Sequence, residues 1–413
     1  MNAQHDHRLV PTVSRILDDT IVELVYDASA RATALAIYRG GRTEIVSQFD
    51  ASTGETLVPY LPTNNLIRHE CVQLPTGPVA YVSKDALLRD VESFVHRYVD
   101  LSPTFERIAA HYVLMSWVHD AFNELPYLRF RGDYGSGKTR ALLALGSIAY
   151  RGFFASGAST VSPIFHTLDT FGGTLVLDEG DLRFSDKTAD LVKILNNGTV
   201  KGLPVLRTLQ NRQKEFSPAA FVVFGPKIVG MRGTFRDQAL ESRFLTEDMG
   251  IRPLRADVPI QLPASLRAEA LELRNRLLDF RFATLFATRS DPDRLIAGID
   301  PRLNQMALSL LSLMDDAAVR EEFGAYLRQR HVELSRARMA SAEARTLAVL
   351  RDVFRVDGRS FIPLAEIATR ANANSQGYEL TARQIGRVLR ERSVRLHKSH
   401  GTIVVPRASL AAF

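Results

Sequence analysis

One stretch of the sequence, residues 132–139, restricts the fold more than any other. It reads Gly-Asp-Tyr-Gly-Ser-Gly-Lys-Thr and fits the pattern G-x-x-x-x-G-K-[ST]. Its three glycines allow the backbone to take positive φ angles and to fold its N–H groups around an anion. Residues 127–131 before it predict a strand, and residues 140–150 after it predict a helix. A strand, this loop and a helix in succession predict a phosphate-binding loop.

The residues of this loop have predicted roles in binding a nucleotide. Lys138 is expected to reach the β- and γ-phosphates, and the hydroxyl of Thr139 is expected to ligate Mg²⁺. The helix that begins at Lys138 adds the positive end of its dipole. The sequence therefore predicts ATP and Mg²⁺ as cofactors. The predicted nucleotide-binding residues of the loop are Gly132, Asp133, Tyr134, Gly135, Ser136, Gly137, Lys138, Thr139 and Arg140.

A second feature lies forty residues after Lys138, where an apolar run ends in the acids Asp178 and Glu179. A strand ending there places Asp178 at the sheet edge that faces the phosphates, where it can hold Mg²⁺ through water. Glu179 can then polarise the attacking water as a general base. Thr139 and Asp178 are the predicted metal ligands, and Lys138 and Glu179 are predicted catalytic residues.

Arg243 is the third predicted catalytic residue. It ends a small predicted helix, from which its guanidinium can project toward a neighbouring subunit's nucleotide as an arginine finger. The alternative is a salt bridge within its own subunit, to Glu241 or Asp237.

A basic segment follows the predicted helix that ends near residue 196. Residues 197–215 carry Lys201, Arg207, Arg212 and Lys214 against one acid. Two short extended pieces are expected here, forming a hairpin that contacts the phosphate backbone of DNA. The alternative is a solvated surface hairpin.

The net charge of the chain is concentrated at its C-terminal end. Residues 341–413 carry 12 Lys and Arg against 6 Asp and Glu, an excess of six, while the other 340 residues carry 40 of each. This segment alone accounts for the net charge of +6, which favours nucleic acid as its partner. Its pattern of three helices and a two-stranded hairpin predicts a winged helix that presents Arg383, Arg387, Arg390 and Lys398 to DNA. The alternative is a winged helix that contacts protein.

Other features of the sequence exclude several classes of protein. Cys71 is the only cysteine, so an intrachain disulfide and a cysteine-based zinc site are excluded. The sequence contains no uninterrupted apolar run of about 18 residues, so no membrane span is predicted. The N-terminal residues lack the apolar core of a signal peptide, and a cytoplasmic protein is expected.

The predicted architecture is α/β with four domains. They are a β-rich N-terminal domain (1–101), a nucleotide-binding core (102–250), a helical block of the size of a lid (251–340) and the winged helix (341–413). Arg302 opens a helix of the helical block and is expected to reach the phosphates as a lid arginine.

Three parts of the sequence together resemble AAA+ ATPases. They are residues 117–181, the segment that begins Asn-Gly-Thr at residue 197, and Ala-Leu-Glu-Ser-Arg-Phe at 239–244. The resemblance is to replicative helicases of the superfamily 3 and minichromosome-maintenance type that mobile genetic elements carry. It covers about residues 105–310 and implies a P-loop AAA+ core with a helical lid. It also implies a homo-oligomeric ring, expected to be a hexamer, that acts on DNA during replication.

The resemblance assigns roles to individual residues as well. Lys138 and Thr139 would bind phosphate and Mg²⁺, and Asp178 and Glu179 would bind Mg²⁺ and activate water. Arg243 would act in trans. Lys201 would lie on a hairpin that contacts DNA.

The chain departs from this family at one strand end. Residues 221–224 predict a strand of the sheet, after which such ATPases usually have a polar residue that orients the attacking water. Gly225 stands there instead, and Lys227 is the nearest polar candidate. Three functions therefore stay open: a ring-forming helicase or translocase, an initiator or loader that uses ATP as an assembly switch, and a nucleotide-sensing DNA-binding regulator.

Overall fold

The computed structural model describes nine stretches of the chain. They are residues 8–156, 159–178, 186–210, 216–235, 237–340, 342–356, 358–373, 379–399 and 401–408. The chain forms two compact units, Met1–Leu327 and Arg328–Phe413. The four-domain division stays a prediction. None of the described helices is long and apolar enough to cross a membrane.

The N-terminal part of the first unit is rich in β-structure, as the sequence predicts. Strands β1 to β7 are Arg8–Thr12, Ser14–Leu17, Thr20–Asp27, Ala32–Arg39, Arg42–Val46, Phe49–Asp50 and Glu55–Pro59. Strands β2, β3, β4 and β5 form an antiparallel sheet in that order, and β1, β7 and β6 form a second sheet. The short helix α1 (Asn65–Arg68) follows.

Two helices lead from these sheets to strand β8 (Tyr127–Arg131). Helix α2 (Lys84–Tyr98) begins after Ser83, whose hydroxyl accepts a hydrogen bond from the N–H of Ala86. Helix α3 (Pro103–Trp117) has Ser102 as its N-cap and proline as its first residue, where the missing N–H costs nothing. Most of α3 is buried, which makes it a central helix of the unit.

A five-stranded parallel sheet forms the centre of the first unit, and it confirms the predicted mixed α/β class. The elements in chain order are β8 (Tyr127–Arg131), α4 (Lys138–Ile148), β9 (Phe153–Ser156), α5 (Val161–Phe171), β10 (Leu175–Asp178), α6 (Asp186–Asn197), β11 (Val205–Gln210), β12 (Phe216–Phe221), β13 (Lys227–Met231), α7 (Gln238–Glu241) and β14 (Phe244–Asp248). The strand order is β14-β8-β13-β10-β9. All four pairings are parallel, so the carboxyl ends of these strands meet at one edge.

Side chains of this sheet alternate between two hydrophobic cores, as the pleat of a strand requires. Val176 joins the core that contains α2, α3 and α4, while Leu175 and Leu177 join the core on the opposite face. The apolar sequence of β10 before Asp178 therefore follows from burial on both faces.

The prediction that residues 221–224 form a strand of the parallel sheet is wrong. Phe221 ends β12, which pairs antiparallel with β11. The sheet strand is the next apolar run, β13, which lies between β8 and β10. The glycine and proline at 225 and 226 separate the two runs. The lysine at the start of β13 obscured the apolar pattern of the true strand.

That lysine, Lys227, is fully buried at the amino end of β13. Its ammonium donates hydrogen bonds to the carbonyls of Val223, at 2.8 Å, and Gly225, at 3.0 Å. Burial lowers the pKa of Lys227 to about 7. Lys227 thus lies at the edge of the sheet opposite the phosphate-binding loop, so its prediction as the residue that orients water is wrong.

The first unit continues with helices α8 (Ser265–Thr284), α9 (Pro301–Leu311) and α10 (Ala317–Ala340), the last of which extends past residue 327. Helix α8 packs against α2, α3 and α4. The helices that precede and follow the parallel sheet in the sequence therefore share one hydrophobic core.

A buried charge network joins the N-terminal sheet to this core. Glu23 on β3 is 2% exposed and accepts hydrogen bonds from Tyr150, Arg151 and Arg281. Arg281 of α8 also pairs with Asp120. Burial alone raises the pKa of Glu23, but the charges of Arg151 and Arg281 outweigh it and hold this pKa below its usual value. The network ties strand β3 to parts of the chain more than a hundred residues away in sequence.

Besides the end of α10, the described residues of the second unit form three helices and a small antiparallel sheet. The helices are α11 (Ala342–Val356), α12 (Leu364–Asn372) and α13 (Ala382–Glu391), and the strands are β15 (Phe361–Pro363), β16 (His397–Ser399) and β17 (Thr402–Pro406). The strand order is β15-β17-β16. The three helices pack around their own hydrophobic core.

Candidate active site

The loop between β8 and α4 is shaped by its glycines. Gly135 and Gly137 have φ angles of 74° and 92°, in the region that only glycine adopts readily. A Cβ atom on Gly132 would lie 2.5 Å from the carbonyl oxygen of Met249, so no other residue fits there. Gly137 precedes α4 and has no side chain with which to cap the helix. The first N–H groups of α4 can therefore bind an anion.

Lys138 occupies the mouth of this loop. Its ammonium donates hydrogen bonds to the carbonyls of Gly132 and Asp133, both at 2.6 Å, and to the hydroxyl of Ser136 at 3.3 Å. Partial burial lowers the pKa of Lys138, while the carboxylates of Asp178 and Asp133 oppose that shift. The ammonium of Lys138 is thus held at the position where it would contact a phosphate bound by the loop.

The two predicted metal ligands lie in direct contact. The hydroxyl of Thr139, in the first turn of α4, donates a 2.7 Å hydrogen bond to the carboxylate of Asp178, at the end of β10. Gly230 is the register partner of Asp178 on β13, and a Cβ atom there would lie 2.8 Å from Leu142. A hydroxyl beside a carboxylate offers the hard oxygen ligands that Mg²⁺ prefers. The residues therefore fit this cofactor. The predicted general base, Glu179, lies outside the described residues.

Two clefts adjoin the loop. One, of about 560 Å³, lies on the side of Asp178 and is lined by Lys138, Thr139 and Ser156 among others. The other, of about 730 Å³, has a mixed wall that includes the apolar residues Val99, Met249, Ile251, Leu254 and Ile260. The cleft beside Asp178 is lined by several charged and hydroxyl-bearing residues, whereas the larger cleft also has several apolar side chains in its wall.

Arg140 lines both clefts. Its guanidinium donates hydrogen bonds to the carbonyls of Ile260, at 2.5 Å, and Tyr98, at 3.4 Å. Arg140 therefore links α4 to the end of α2 and to the segment that closes the larger cleft.

Sequence reasoning missed one residue of the site, Arg232. It follows β13 directly and so emerges at the carboxyl edge of the sheet, between the loop and Asp178. It lines both clefts, and its guanidinium lies 3.3 Å above the ring centre of Tyr134. This strand end is the position that Gly225 was expected to occupy, and it carries a polar residue. An apolar run from 228 to 231 followed by arginine is the signal that locates it.

Arg243 lies at the opposite end of the sheet. It precedes β14, whose first residue pairs with Tyr127 and whose last pairs with Arg131 next to the loop. Five residues of strand separate it from the loop end by roughly 16 Å. Arg243 therefore does not reach the loop of its own subunit, and its predicted action in trans stays a proposal.

The alternative for Arg243 is a salt bridge to Glu241 or Asp237. The contacts of Arg243 favour a different partner, Asn196. Glu241 pairs with the buried Arg129, and Asp237 accepts a hydrogen bond from Asn196. The guanidinium of Arg243 donates to the side-chain oxygen of Asn196 at 2.7 Å and to the backbone carbonyl of the same residue. Burial, and then the charge of Arg302, lower the pKa of Arg243.

Arg302, the predicted lid arginine, lies away from the two clefts of this chain, and its predicted contact with the phosphates stays a prediction. Its charge acts on Arg243 and on Glu124, both at the amino end of the sheet. Among the described residues that line the two clefts, Arg302 is absent. The sequence placed Arg302 in the first turn of α9 correctly but could not show which edge of the sheet α9 approaches.

A hairpin is present, but β11 and β12 form it, so its second strand lies beyond the predicted segment 197–215. The described cations of the predicted segment have partners within the chain. Arg207 pairs with Asp190 and lies 4.1 Å above the ring of Phe165. Lys201 precedes the hairpin and donates a 2.9 Å hydrogen bond to the carbonyl of Asp120, so its placement on the hairpin is wrong. Arg212 and Lys214 lie outside the described residues. The exposed face includes the apolar residues Leu206 and Phe216.

In the second unit, three of the four predicted DNA-contacting residues share one exposed surface of α13. Arg383, Arg387 and Arg390 recur at the spacing of a helix face and are exposed, while Ile385 and Leu389 on the other face are buried. The capping box of Thr381 and Gln384 fixes where α13 begins. Lys398 on β16 is also exposed.

Comparison with known proteins gives structural likeness only. No protein-family model matches the chain, and no curated protein matches it. The SCCmec type IV Cch active helicase is 13% identical, with a TM-score of 0.38, over 98% of this chain and 96% of that one. The apo C-terminal region of NrS-1 is 12% identical, with a TM-score of 0.36, over 93% and 96%. Cdc6p from Pyrobaculum aerophilum is 13% identical, with a TM-score of 0.22, over 81% and 97%. Because these identities and TM-scores are low, the function has to follow from the site itself.

Proposed function

We propose that this chain is an Mg²⁺-dependent ATPase that acts on DNA as a helicase or translocase. The observation that carries the proposal is the hydrogen bond between Thr139 and Asp178 at the mouth of loop 132–139. A glycine-rich loop alone can bind many anions. A hydroxyl and a carboxylate brought together from a separate helix and strand add the ligands of a hard cation, which a triphosphate carries.

The chain's own residues divide the work at this site. The N–H groups of the loop and of α4 bind the phosphates, and Lys138 compensates their charge. Thr139 and Asp178 would hold Mg²⁺, which would supply positive charge to neutralise the phosphates. Arg232, at the end of β13, supplies a further cation beside the same cleft. Glu179 is the proposed general base.

We assign the second unit to DNA binding as a winged helix. The support is the exposed arginine row of α13 together with Lys398 on β16, in the segment that carries the net charge of the whole chain. A row of cations on one helix face suits the phosphate backbone or groove of a duplex.

The DNA-binding face can be tested with paired charge variants. We expect Arg383→Gln with Arg390→Gln to weaken duplex binding and to reduce the slope of log affinity against log salt by roughly two. The control is Arg351→Gln with Arg355→Gln, the same charge change on exposed positions of α11. Equal losses in both double variants, measured by fluorescence anisotropy across a salt series, would show a non-specific effect of net charge.

The motor activity is tested by strand displacement on a forked DNA duplex. With Mg²⁺ and ATP, the purified chain is expected to release the displaced strand, and Lys138→Ala is expected to release none, because the phosphates lose their cation. ATP hydrolysis without strand release at any fork geometry would argue against a helicase.

One observation favours a second candidate, an initiator, loader or regulator that binds DNA without unwinding it. The described cations expected on the hairpin, Lys201 and Arg207, are bound within the chain. ATP-dependent duplex binding without strand displacement in the same assay would select this candidate.

A further inference from the structure

Arg129, in the middle of β8, is a fully buried cation that takes no part in the proposed chemistry. Its guanidinium forms a bidentate ion pair with Glu241, in which Nη1 donates to Oε2 at 2.6 Å and Nη2 donates to Oε1. Glu241 is only 4% exposed and also accepts a 3.1 Å hydrogen bond from the N–H of Phe235. A bidentate pair between an arginine and a carboxylate fixes the orientation of both groups as well as their separation.

This ion pair lies at the turn that carries Arg243. Glu241 ends α7, and Arg243 follows two residues later, immediately before β14. Arg129 also contacts the strand beyond the turn. Its guanidinium carbon lies 5.1 Å from the ring centre of Phe244, and its Nε donates a 3.1 Å hydrogen bond to the hydroxyl of Thr246. Arg129 therefore contacts the chain on both sides of Arg243.

The backbone of Arg243 is fixed at the same turn. Its carbonyl accepts a hydrogen bond from the N–H of Tyr127 at 2.9 Å, and its N–H donates to the carbonyl of Leu240 at 3.0 Å. The hydrogen bonds of its guanidinium all come from one nitrogen, Nη1, which donates to Leu195 and Asn196. Its Nε has no hydrogen-bond partner in the described part of the chain. The position of the guanidinium therefore depends on where the turn between α7 and β14 is held.

We propose that Arg129 and Glu241 are positioning residues for Arg243, and that their ion pair holds this arginine where it completes the ATP site of a neighbouring copy. The inference rests on the proposed function and on the proposed action of Arg243 in trans. Neither Arg129 nor Glu241 lines the two clefts beside the loop, so both act through the turn. A displacement of about 1 Å at a catalytic group can lower a rate on the order of a hundredfold.

Removing the ion pair is expected to lower ATP turnover by about a hundredfold and to leave affinity for a non-hydrolysable ATP analogue unchanged. The first variant is Arg129→Met with Glu241→Gln, which leaves no unpaired buried charge and keeps an oxygen for the N–H of Phe235. The second is Arg129→Lys, which keeps the charge and loses the bidentate geometry. Thermal unfolding checks that each variant is folded, and isothermal titration with Mg²⁺ measures its affinity for the analogue.

Mixed assemblies of full chains test whether the lost turnover originates at Arg243 or at the loop. Mixed with Lys138→Ala, whose Arg243 is intact, either ion-pair variant is expected to recover turnover at its own loop. Mixed with Arg243→Ala, it is expected to recover none, because neither copy then supplies a correctly placed arginine. A general loss of structure would impair the loop and the turn alike and would not produce this asymmetry.

The other outcomes of the mixing experiment contradict the proposal at different levels. Recovery with Arg243→Ala, or recovery with neither partner, would overturn the positioning role and leave the ATP site intact. The mixture of Arg243→Ala with Lys138→Ala is the positive control, and its failure to recover would remove the action in trans on which the positioning role depends. A wild-type chain that neither binds nor hydrolyses ATP would contradict the proposed function itself.

Discussion

Arg243→Ala is expected to lower ATP turnover by about a thousandfold while leaving ATP affinity nearly intact. This loss of turnover equals the usual contribution of an arginine finger, which stabilises the charge that develops on the γ-phosphate during transfer. Ground-state binding is kept because the loop and Lys138 supply it. Arg243 lies at the far end of the sheet from its own loop, so we propose that it completes the site of a neighbouring copy. On this proposal the functional unit is a ring, for which a hexamer is the expected size.

Mixed assemblies separate action in trans from a local effect. Arg243→Ala mixed with Lys138→Ala is expected to recover part of the turnover, because some interfaces then combine an intact loop with an intact arginine. Failure to recover at any mixing ratio would remove the main reason to expect a ring.

A separate control variant tests whether Arg243 has a structural role. Its guanidinium donates to Asn196 at the end of α6, so Arg243→Ala also removes contacts at that helix end. Asn196→Ala removes the side-chain acceptor and keeps the guanidinium. If Asn196→Ala lowers turnover as much as Arg243→Ala does, the arginine acts by holding α6 and not as a finger.

Features that depend on short stretches of sequence were predictable. The phosphate-binding loop follows from local glycine chemistry, and the run ending at Asp178 gave the strand that brings this carboxylate to Thr139. The exposed arginines of α13 follow from helical periodicity. In each case the residues that decide the geometry lie within a few positions of one another in the sequence. The exception is the contact between Thr139 and Asp178, which depends on how the strands of the parallel sheet pair.

Features that depend on the choice between similar segments were not predictable. Residues 221–224 and 228–231 are both short apolar runs, and only the first lacks a charged neighbour at its start. The structure uses the second as β13 because three backbone carbonyls around the buried Lys227 satisfy its ammonium. The position of Arg232 at the site depends on that choice.

Long-range contacts explain the remaining differences. Besides Ser14 on the adjacent strand β2, the side chains that hydrogen-bond Glu23 come from positions 150, 151 and 281, and nothing near β3 in the sequence indicates those three. The position of Arg302 away from the two clefts was not predictable for the same reason, because the edge that α9 approaches depends on how α8 and α9 pack against α3. Breaking a buried pair of this kind typically costs about 3–5 kcal/mol, so such contacts stabilise the arrangement strongly once it forms.

The central claim, that loop 132–139 and Asp178 form an Mg²⁺-dependent ATP site, is tested most directly by ATP hydrolysis at steady state. Hydrolysis is expected with Mg²⁺ and not with EDTA. Lys138→Ala removes the cation at the phosphates, and Asp178→Asn removes the charge at the metal site while keeping an oxygen for Thr139. Each is expected to lower turnover by at least about a hundredfold, the usual loss when a preorganised electrostatic group is removed.

Lys193→Ala is the matched control, since this lysine is exposed on α6 and pairs with Asp190 outside the site. The account predicts wild-type turnover for Lys193→Ala beside near-complete loss in Lys138→Ala and Asp178→Asn. Turnover that persists in Lys138→Ala and Asp178→Asn, or that is equal with and without Mg²⁺, would contradict it.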